Sequence, residues 1–583
     1  MGRKMKNLKL KSVLLSSAAA IAVAATFTTS GSVAGNIESQ LAPVMNLIND
    51  VESNAKKGVN PNSLPTKTPI KHLVVIFNEN ISFDHYFGTY PNAMNVDGEP
   101  VFEPARNTPR NINNVDTEAL LFNNPNFTNV LNAPNQQNPF RLDRTQAISG
   151  DQGHAYTPEQ QAYDGGKMDL FPLNTGVGTK GGSGAFGTPA LVMGYYDGNT
   201  VTALWNYAQN YAMSDNSWSD SYGPSTPGAV NMFAGTSNGA TIPAGFTAST
   251  IADGQGGLTL INDTDPAGDV CSSKTAQVGM TSKNIGDLLN AKNIPWGSFM
   301  GGFNLQLQNN NGTSGCGRTT TGLSGTTTDY IPHHAWFQYY ASTANLTHAR
   351  PASLKEIGHA GPANHAYDLE DFTAAVGHGN YPAVSFIKLP AYQDGHGGYS
   401  NPLDEQTGLV NLINFLQEQE DWDSTAVIIA YDDSDGWYDH AFVAPTHGSF
   451  STATTSVRTS STPVDVDQLN GAGNCGTPGV TPKPTGVAGQ PVDGRCGPGT
   501  RQPFLVISPY AKKNYVSHVL TTQASIPQFI EDNWLNGERI GQGSFDATTG
   551  SINDMFDFKQ KNSEKLILDP TEGTVDSRSK IKN

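Results

Sequence analysis

Two places in the sequence put oxygen-bearing side chains directly behind a short apolar run. Leu73–Phe77 is followed by NENISFDHYFG, with Glu79 and Asn80, and Val427–Tyr431 by DDSDGWYDH, with Asp432 and Asp433. In α/β proteins the carboxyl ends of strands are where ligands sit. Four oxygen donors converging there suit a hard divalent cation, because adjacent buried carboxylates without one repel and raise each other's pKa. Hardness favours Mg, Mn or Ca, while Asp, Asn and Ser oxygens also accept Zn or Fe, and nearby histidines can join them. Each motif alone is also what a helix cap or a solvated acidic turn looks like, so the expectation of one shared cation rests on the pair.

Five histidines form a second constellation: His154 in SGDQGHAYTPEQ, His333 and His334 in YIPHHAWFQYY, His396 in QDGHGGYSNPLDEQ and His440 in GWYDHAF. Nearly all stand beside Gly, Pro, Asp or aromatic residues in expected loops. Imidazolium groups can clamp phosphate oxygens, and one can protonate a leaving alcohol, a role expected of His396 or His333. No lone Arg or Lys clamp stands out. A third element is SWSDSYGPSTPGAVNMF, where Ser225 and Thr226 lie between prolines. A helix expected to begin near Pro227 would aim backbone N–H groups at an anion beside the hydroxyl, as a phosphorylated serine needs. An ordinary Pro/Gly turn with a capping serine has the same sequence signature.

Elements that hold such residues are visible in the apolar pattern. Leu73–Phe77, Val384–Leu389, Val427–Tyr431 and Phe504–Ile507 are apolar with almost no alternation, which suits strands covered on both faces. After Asn401-Pro402, Leu409, Leu412, Ile413 and Leu416 share one helical face, with Asn401 as cap and Pro402 in the first turn. Further helices are expected from Val201 and over Ile526–Trp534. The implied class is α/β: a mixed, mostly parallel central sheet flanked by helices. Glu103–Thr145, Gly239–Thr328 and Ser449–Arg495 are rich in Asn, Gly, Thr, Ser and Pro, and are expected to be long loop insertions shaping access to the site. The expected organisation is an export signal over 1–34, a linker over 35–69, a catalytic domain over 70–545 and a polar tail over 546–583.

The 583 residues carry a formal net charge of −17, which opposes nucleic-acid phosphates and anionic surfaces at long range, so no nucleic-acid partner is expected. Basic residues precede the apolar run Val13–Phe27, which ends at Ser32-Val33-Ala34, the pattern of a cleaved secretory signal. No later stretch is apolar enough to span a membrane, and no feature specifies an oligomeric state. None of the four cysteines has a metal-binding spacing. Their even number in an exported chain implies two disulfides between sequence neighbours, Cys271–Cys316 and Cys475–Cys496.

With these residues in view, ENISFDHYFG resembles the E-N-R-S-F-D-H-Y-F-G segment of the bacterial phosphoesterase family of acid phosphatases and phospholipases C. DQGHAYTPEQQAYDGGKMD, GPSTPG, PHHAWFQYY, YSNPLDEQ, AYDDSDGWYDH and RQPFLVISPYA follow in the family's order, from about Lys71 to Trp534. The resemblance implies a core like that of alkaline phosphatases and sulfatases, and a phosphate-ester substrate, with a phospholipid as the alternative. It implies a divalent metal ion on Glu79, Asn80, Asp432 and Asp433, Ser225 as nucleophile and metal ligand, and phosphate-binding or acid roles for His154, His333, His334 and His396. Ser225 and the Asp432-Asp433 pair lean toward the acid phosphatase branch, since phospholipase members commonly carry Thr and Asp-Glu there. Ile81 stands where the family has Arg.

Two rival readings differ in class. A sulfatase needs an Arg downstream of its modified Cys or Ser, and GPSTPGAV lacks it. A secreted binding protein would use the acidic strand ends for a structural cation alone.

Overall fold

Eight strands make the central sheet of the computed structural model, which describes residues 59–580. The expected export signal and most of the expected linker lie outside the described residues. In chain order the strands are β1 (His72–Asn78), β2 (Ala212–Ser214), β3 (Trp296–Met300), β4 (Ala366–Asp368), β5 (Val384–Lys388), β6 (Thr425–Tyr431), β7 (Phe504–Ile507) and β8 (Tyr515–Ser517). Across the sheet they run β4-β3-β5-β1-β6-β7-β2-β8. Only β7 is antiparallel to its neighbours. This is the mixed, mostly parallel α/β sheet that the apolar runs imply.

Every residue of β1, β5 and β6 is buried, which is why these strands carry no alternation of polar and apolar residues. Register then places the chemistry. β1 and β6 pair from His72↔Thr425 to Asn78↔Tyr431, so Glu79 and Asp432 leave the sheet side by side. β5 pairs with β1 as far as Ile76↔Ile387, which brings Lys388 to the same edge.

Five helices matter for the site: α1 (Tyr156–Tyr163), α2 (Thr202–Asn210), α3 (Ser225–Ala234), α4 (Pro402–Glu418) and α5 (Ser525–Trp534). The side chain of Asn401 caps α4 by accepting from the N–H groups of Leu403 and Asp404, with Pro402 in the first turn. α3 starts at Ser225, two residues before the expected Pro227. Proline is tolerated there because the first-turn N–H groups have no partner within the helix.

The segment Gly239–Thr328, expected to be a loop insertion, contains β3 as well as a short helix, Ile285–Ala291. Gly297 and Ser298 interrupt the apolar pattern of WGSFM for packing reasons. A Cβ on Gly297 would lie 2.8 Å from the Phe299 ring and 3.0 Å from Tyr367, and the Ser298 hydroxyl accepts a hydrogen bond from the indole of Trp336 at 2.9 Å. Cys271 is bonded to Cys316 and Cys475 to Cys496, the expected pairing. No described helix is long and apolar enough to cross a membrane.

The C-terminal segment, polar in overall composition, is packed along α4. Gln417 exchanges two hydrogen bonds with the backbone of Leu566, and Asn414 two with Leu568, while both leucine side chains are fully buried. Leu566→Ala is expected to cost about 3 kcal/mol through lost burial and the cavity left behind. A denaturant unfolding midpoint unchanged by the substitution would show that this segment is not part of the core.

Candidate active site

The loop after β1 is shaped by Asn80, whose φ of 63° is a left-handed conformation that asparagine tolerates. Its backbone N–H donates to Asp432 Oδ1 at 2.9 Å, tying the ends of β1 and β6 together. The N-terminus of α3 lies over this junction. Gly228 permits that approach, because a Cβ there would sit 2.2 Å from the Asp432 carbonyl oxygen. The hydroxyl of Ser225, the first residue of α3, is therefore buried between the two strand ends.

Ser225 Oγ lies 2.9 Å from Glu79 Oε2, 3.3 Å from Asp433 Oδ2 and 3.4 Å from Asn80 Oδ1. The hydroxyl has one proton and can donate to only one of these three oxygens at a time. Asp433 also receives the Asp435 N–H on Oδ1 at 2.6 Å. Asp432 Oδ1 accepts from both Asn80 and Asp433, whereas Asp432 Oδ2 is buried with no hydrogen-bond partner among the described residues. Burial, and then the charge of Asp432, holds the Asp433 carboxyl well above the usual carboxylate range.

This arrangement fits a divalent cation. Three oxygens gather within 2.9–3.4 Å of Ser225 Oγ, two of them from carboxyl groups, a donor set suited to a hard cation. A cation would also supply the partner that Asp432 Oδ2 lacks. Glu79, Asn80, Asp432, Asp433 and Ser225 would hold it. Beside this cluster, Asp151, His154, His396 and Asp435 offer ligand atoms that all lie within 4.8 Å of one another.

The four histidines implicated by the sequence surround this cluster in different protonation environments. His154 is fixed through Nδ1, which lies 2.8 Å from the Gln152 carbonyl oxygen and 3.1 Å from Asp435 Oδ1, leaving Nε2 beside Asn80. Burial alone would lower its pKa, but Asp433, Asp435 and Asp151 outweigh burial and raise it well above the usual value. His333, 3.5 Å from Asp265, is raised as well, its burial outweighed by Asp263 and Asp265. His334 lies 3.2 Å from Glu79 Oε1, and burial, followed by the neighbouring His333 and His396, drives its pKa well down. Burial takes His396 down to about 4, so this ring is neutral even in mild acid.

His440 does not join the cluster. It bonds to Asp84 Oδ2 at 2.6 Å and to Asn113 at 2.9 Å, in a buried network with Arg501 and Asp439 that braces the loop after β6. Thr226 is also occupied, with its N–H and hydroxyl both donating to Asp263 at 2.9 Å. That N–H is unavailable to a phosphate, contrary to the expectation for this helix start.

Lys388, a basic residue that does not stand out in the sequence, reaches the cluster through Glu79. The last residue of β5, it is buried and ion-paired with Glu79. Burial lowers its pKa, against the opposing pull of Asp432, Asp394 and Asp433. Asp394 and Asp435 were also missed. Asp394 is buried, and its carbonyl accepts the Glu79 N–H at 2.9 Å. Asp435, in a left-handed conformation with φ 54°, joins Asn80, Gln152 and His154. Burial pushes its carboxyl up to about 7 against the pull of His154. Ile81, in place of the family's Arg, is buried in the apolar core and presents no charge to the site.

The Phosphoesterase family model matches residues 70–535. The chain is 23% identical over 511 residues to Non-hemolytic phospholipase C of Pseudomonas aeruginosa, an alignment covering 87% of this chain but 60% of that protein. It is 23% identical over 514 residues to Phospholipase C B of Mycobacterium tuberculosis, covering 84% of this chain and 78% of that protein. Among solved structures it is similar to a protein in the alkaline phosphatase superfamily from Vibrio parahaemolyticus, at 10% identity and a TM-score of 0.26, over 63% of this chain and 67% of that one. With the family match running from the start of β1 to the end of α5, the chain belongs to the Phosphoesterase family.

Proposed function

We propose that this chain is an exported, metal-dependent hydrolase of phosphoric esters that works through a phosphoseryl intermediate on Ser225. The observation that carries the reading is the convergence of Glu79, Asn80 and Asp433 oxygens on the single Ser225 hydroxyl, beside the unpartnered Asp432 Oδ2. A bound divalent cation supplies positive charge that lowers the hydroxyl pKa and offsets charge on the phosphoryl oxygens. Ser225 Oγ gives its proton to Glu79 Oε2, 2.9 Å away, and attacks phosphorus while the bond from phosphorus to the ester oxygen breaks. His154, fixed through Nδ1 by Gln152 and Asp435, gives the leaving oxygen its proton from Nε2. Water then gives a proton back to His154 and attacks the phosphoserine, the Ser225 Oγ–P bond breaks as Oγ regains its proton from Glu79, and phosphate leaves. Lys388 holds Glu79 in place, and His333 binds phosphoryl oxygens. The two disulfides support folding in an oxidising compartment outside the cytosol.

Phosphomonoesters are the first substrate class, in keeping with Ser225 and the Asp432-Asp433 pair. The relatives named phospholipases C make a phospholipid headgroup ester the second reading. Purified protein is expected to hydrolyse p-nitrophenyl phosphate, to lose this activity with a chelator and to regain it with a divalent cation. Parallel release of phosphocholine from phosphatidylcholine separates the two classes. Absence of cation-dependent turnover on both substrates would refute the proposal.

A further inference from the structure

Residues 122–132 reverse the usual polarity of a folded segment. Phe122 is 88% exposed, Val130 75%, Leu131 62% and Phe127 48%, while Asn124, Asn126 and Asn132 are buried. The inversion is held in place by the amides. Asn124 caps the turn Pro125–Thr128 and donates to the Tyr438 hydroxyl at 2.8 Å. Asn126 donates to the Met168 carbonyl at 2.7 Å and accepts from the Phe171 N–H. Asn132 donates to the Asp169 carbonyl and accepts from the Leu173 N–H. With the amides turned inward, the large apolar side chains face water by construction. Apolar exposure concentrated in ten residues of one segment marks a contact surface.

Charge narrows the partner. From Ala119 to Phe140 there is no Asp, Glu, Lys, Arg or His, in a chain with a net charge of −17. Long-range repulsion disfavours an anionic surface, whereas an uncharged face of Phe, Val, Leu and Asn suits the headgroup boundary of a zwitterionic bilayer. The segment is also built onto the frame of the site. Tyr438 follows Asp433 and Asp435 on one loop, and the turn held by Asn126 and Asn132 leads into Thr175. The Thr175 carbonyl accepts from Gly153, next to His154, and its hydroxyl donates to the Gly436 carbonyl.

We infer that residues 122–131 dock this protein on a zwitterionic lipid–water surface and so present headgroup phosphoesters to the site. This rests on the hydrolase reading above. The test compares wild type with the double variant F122S/F127S, measuring sedimentation with phosphatidylcholine vesicles, sedimentation with vesicles containing phosphatidylglycerol, and turnover of soluble p-nitrophenyl phosphate. Wild type is expected to partition onto phosphatidylcholine and less onto the anionic vesicles, and the variant to bind about tenfold more weakly or worse. Soluble turnover is expected to stay within about twofold, since both side chains are exposed and outside the site. Wild type left in the supernatant with phosphatidylcholine, or a variant that sediments equally well, overturns the inference. So does a concentration-dependent dimer that the substitutions abolish in the absence of vesicle binding, because the patch would then belong to a second copy. If wild type binds vesicles through these residues but shows no cation-dependent turnover of either p-nitrophenyl phosphate or phosphatidylcholine, the docking surface stands and the hydrolase reading fails.

Discussion

Replacing Ser225 with alanine is expected to lower kcat for p-nitrophenyl phosphate by about ten-thousandfold, or ~5.5 kcal/mol of transition-state stabilisation. The Ser225 hydroxyl is the group on which Glu79, Asn80 and Asp433 converge, so in the proposed mechanism its loss removes the nucleophile and one oxygen of the cation shell together. The one neighbouring hydroxyl in the sequence, Thr226, cannot take over, because its Oγ1 donates to Asp263 at 2.9 Å and accepts from the Thr264 N–H. Thr226→Ala is accordingly expected to keep kcat within about tenfold of wild type. Steady-state kinetics of the two variants checks the contrast. A Ser225→Ala protein with near wild-type kcat, or a Thr226→Ala protein as inactive as Ser225→Ala, would remove Ser225 from the chemistry.

Asp432→Ala and Asp432→Asn should each lose cation and activity together, with kcat falling about a thousandfold. The pair separates charge from support. Asp432 Oδ1 holds the N–H groups of Asn80 and Asp433, a role that asparagine can keep, whereas Oδ2 has no hydrogen-bond partner among the described residues. A buried carboxylate oxygen left unmatched costs on the order of a few kcal/mol, which a cation offsets and an amide NH2 facing that cation cannot. A second readout is thermal. In wild type, cation at about a hundred times its Kd should stabilise the fold by ~2.7 kcal/mol, a gain expected to vanish in both variants. Elemental analysis, kinetics and melting curves decide the matter, and a fully active, metal-replete Asp432→Ala would place the cation elsewhere.

The parts of this protein legible from sequence are those where one physical demand dominates. β1, β5, β6 and β7 are covered on both faces, so their residues are apolar almost without interruption and the runs stand out. α4 was visible because its cap and first-turn proline adjoin a clean apolar face. β3 was hidden by Gly297 and Ser298, small residues whose space is taken by Phe299, Tyr367 and Trp336. In the site, Glu79, Asn80, Asp432 and Asp433 could be placed because strand ends carry them. Lys388 looks like an ordinary charge closing the run VSFIK, and only its register against β1 brings it to Glu79. Asp435 resembles a turn residue in DDSDG, yet its carboxylate is buried and bound to groups distant in sequence. His440 shared the loop setting of the other histidines, but Asp84 and Asn113 hold it in a structural network.

In the proposed mechanism phosphorus passes from the ester oxygen to Ser225 and then to water, in two in-line displacements that each invert its configuration. A thiophosphate ester made chiral at phosphorus with oxygen isotopes measures the sum of these steps directly. Net retention is the predicted outcome, and net inversion, the signature of a single direct attack by water, would contradict it.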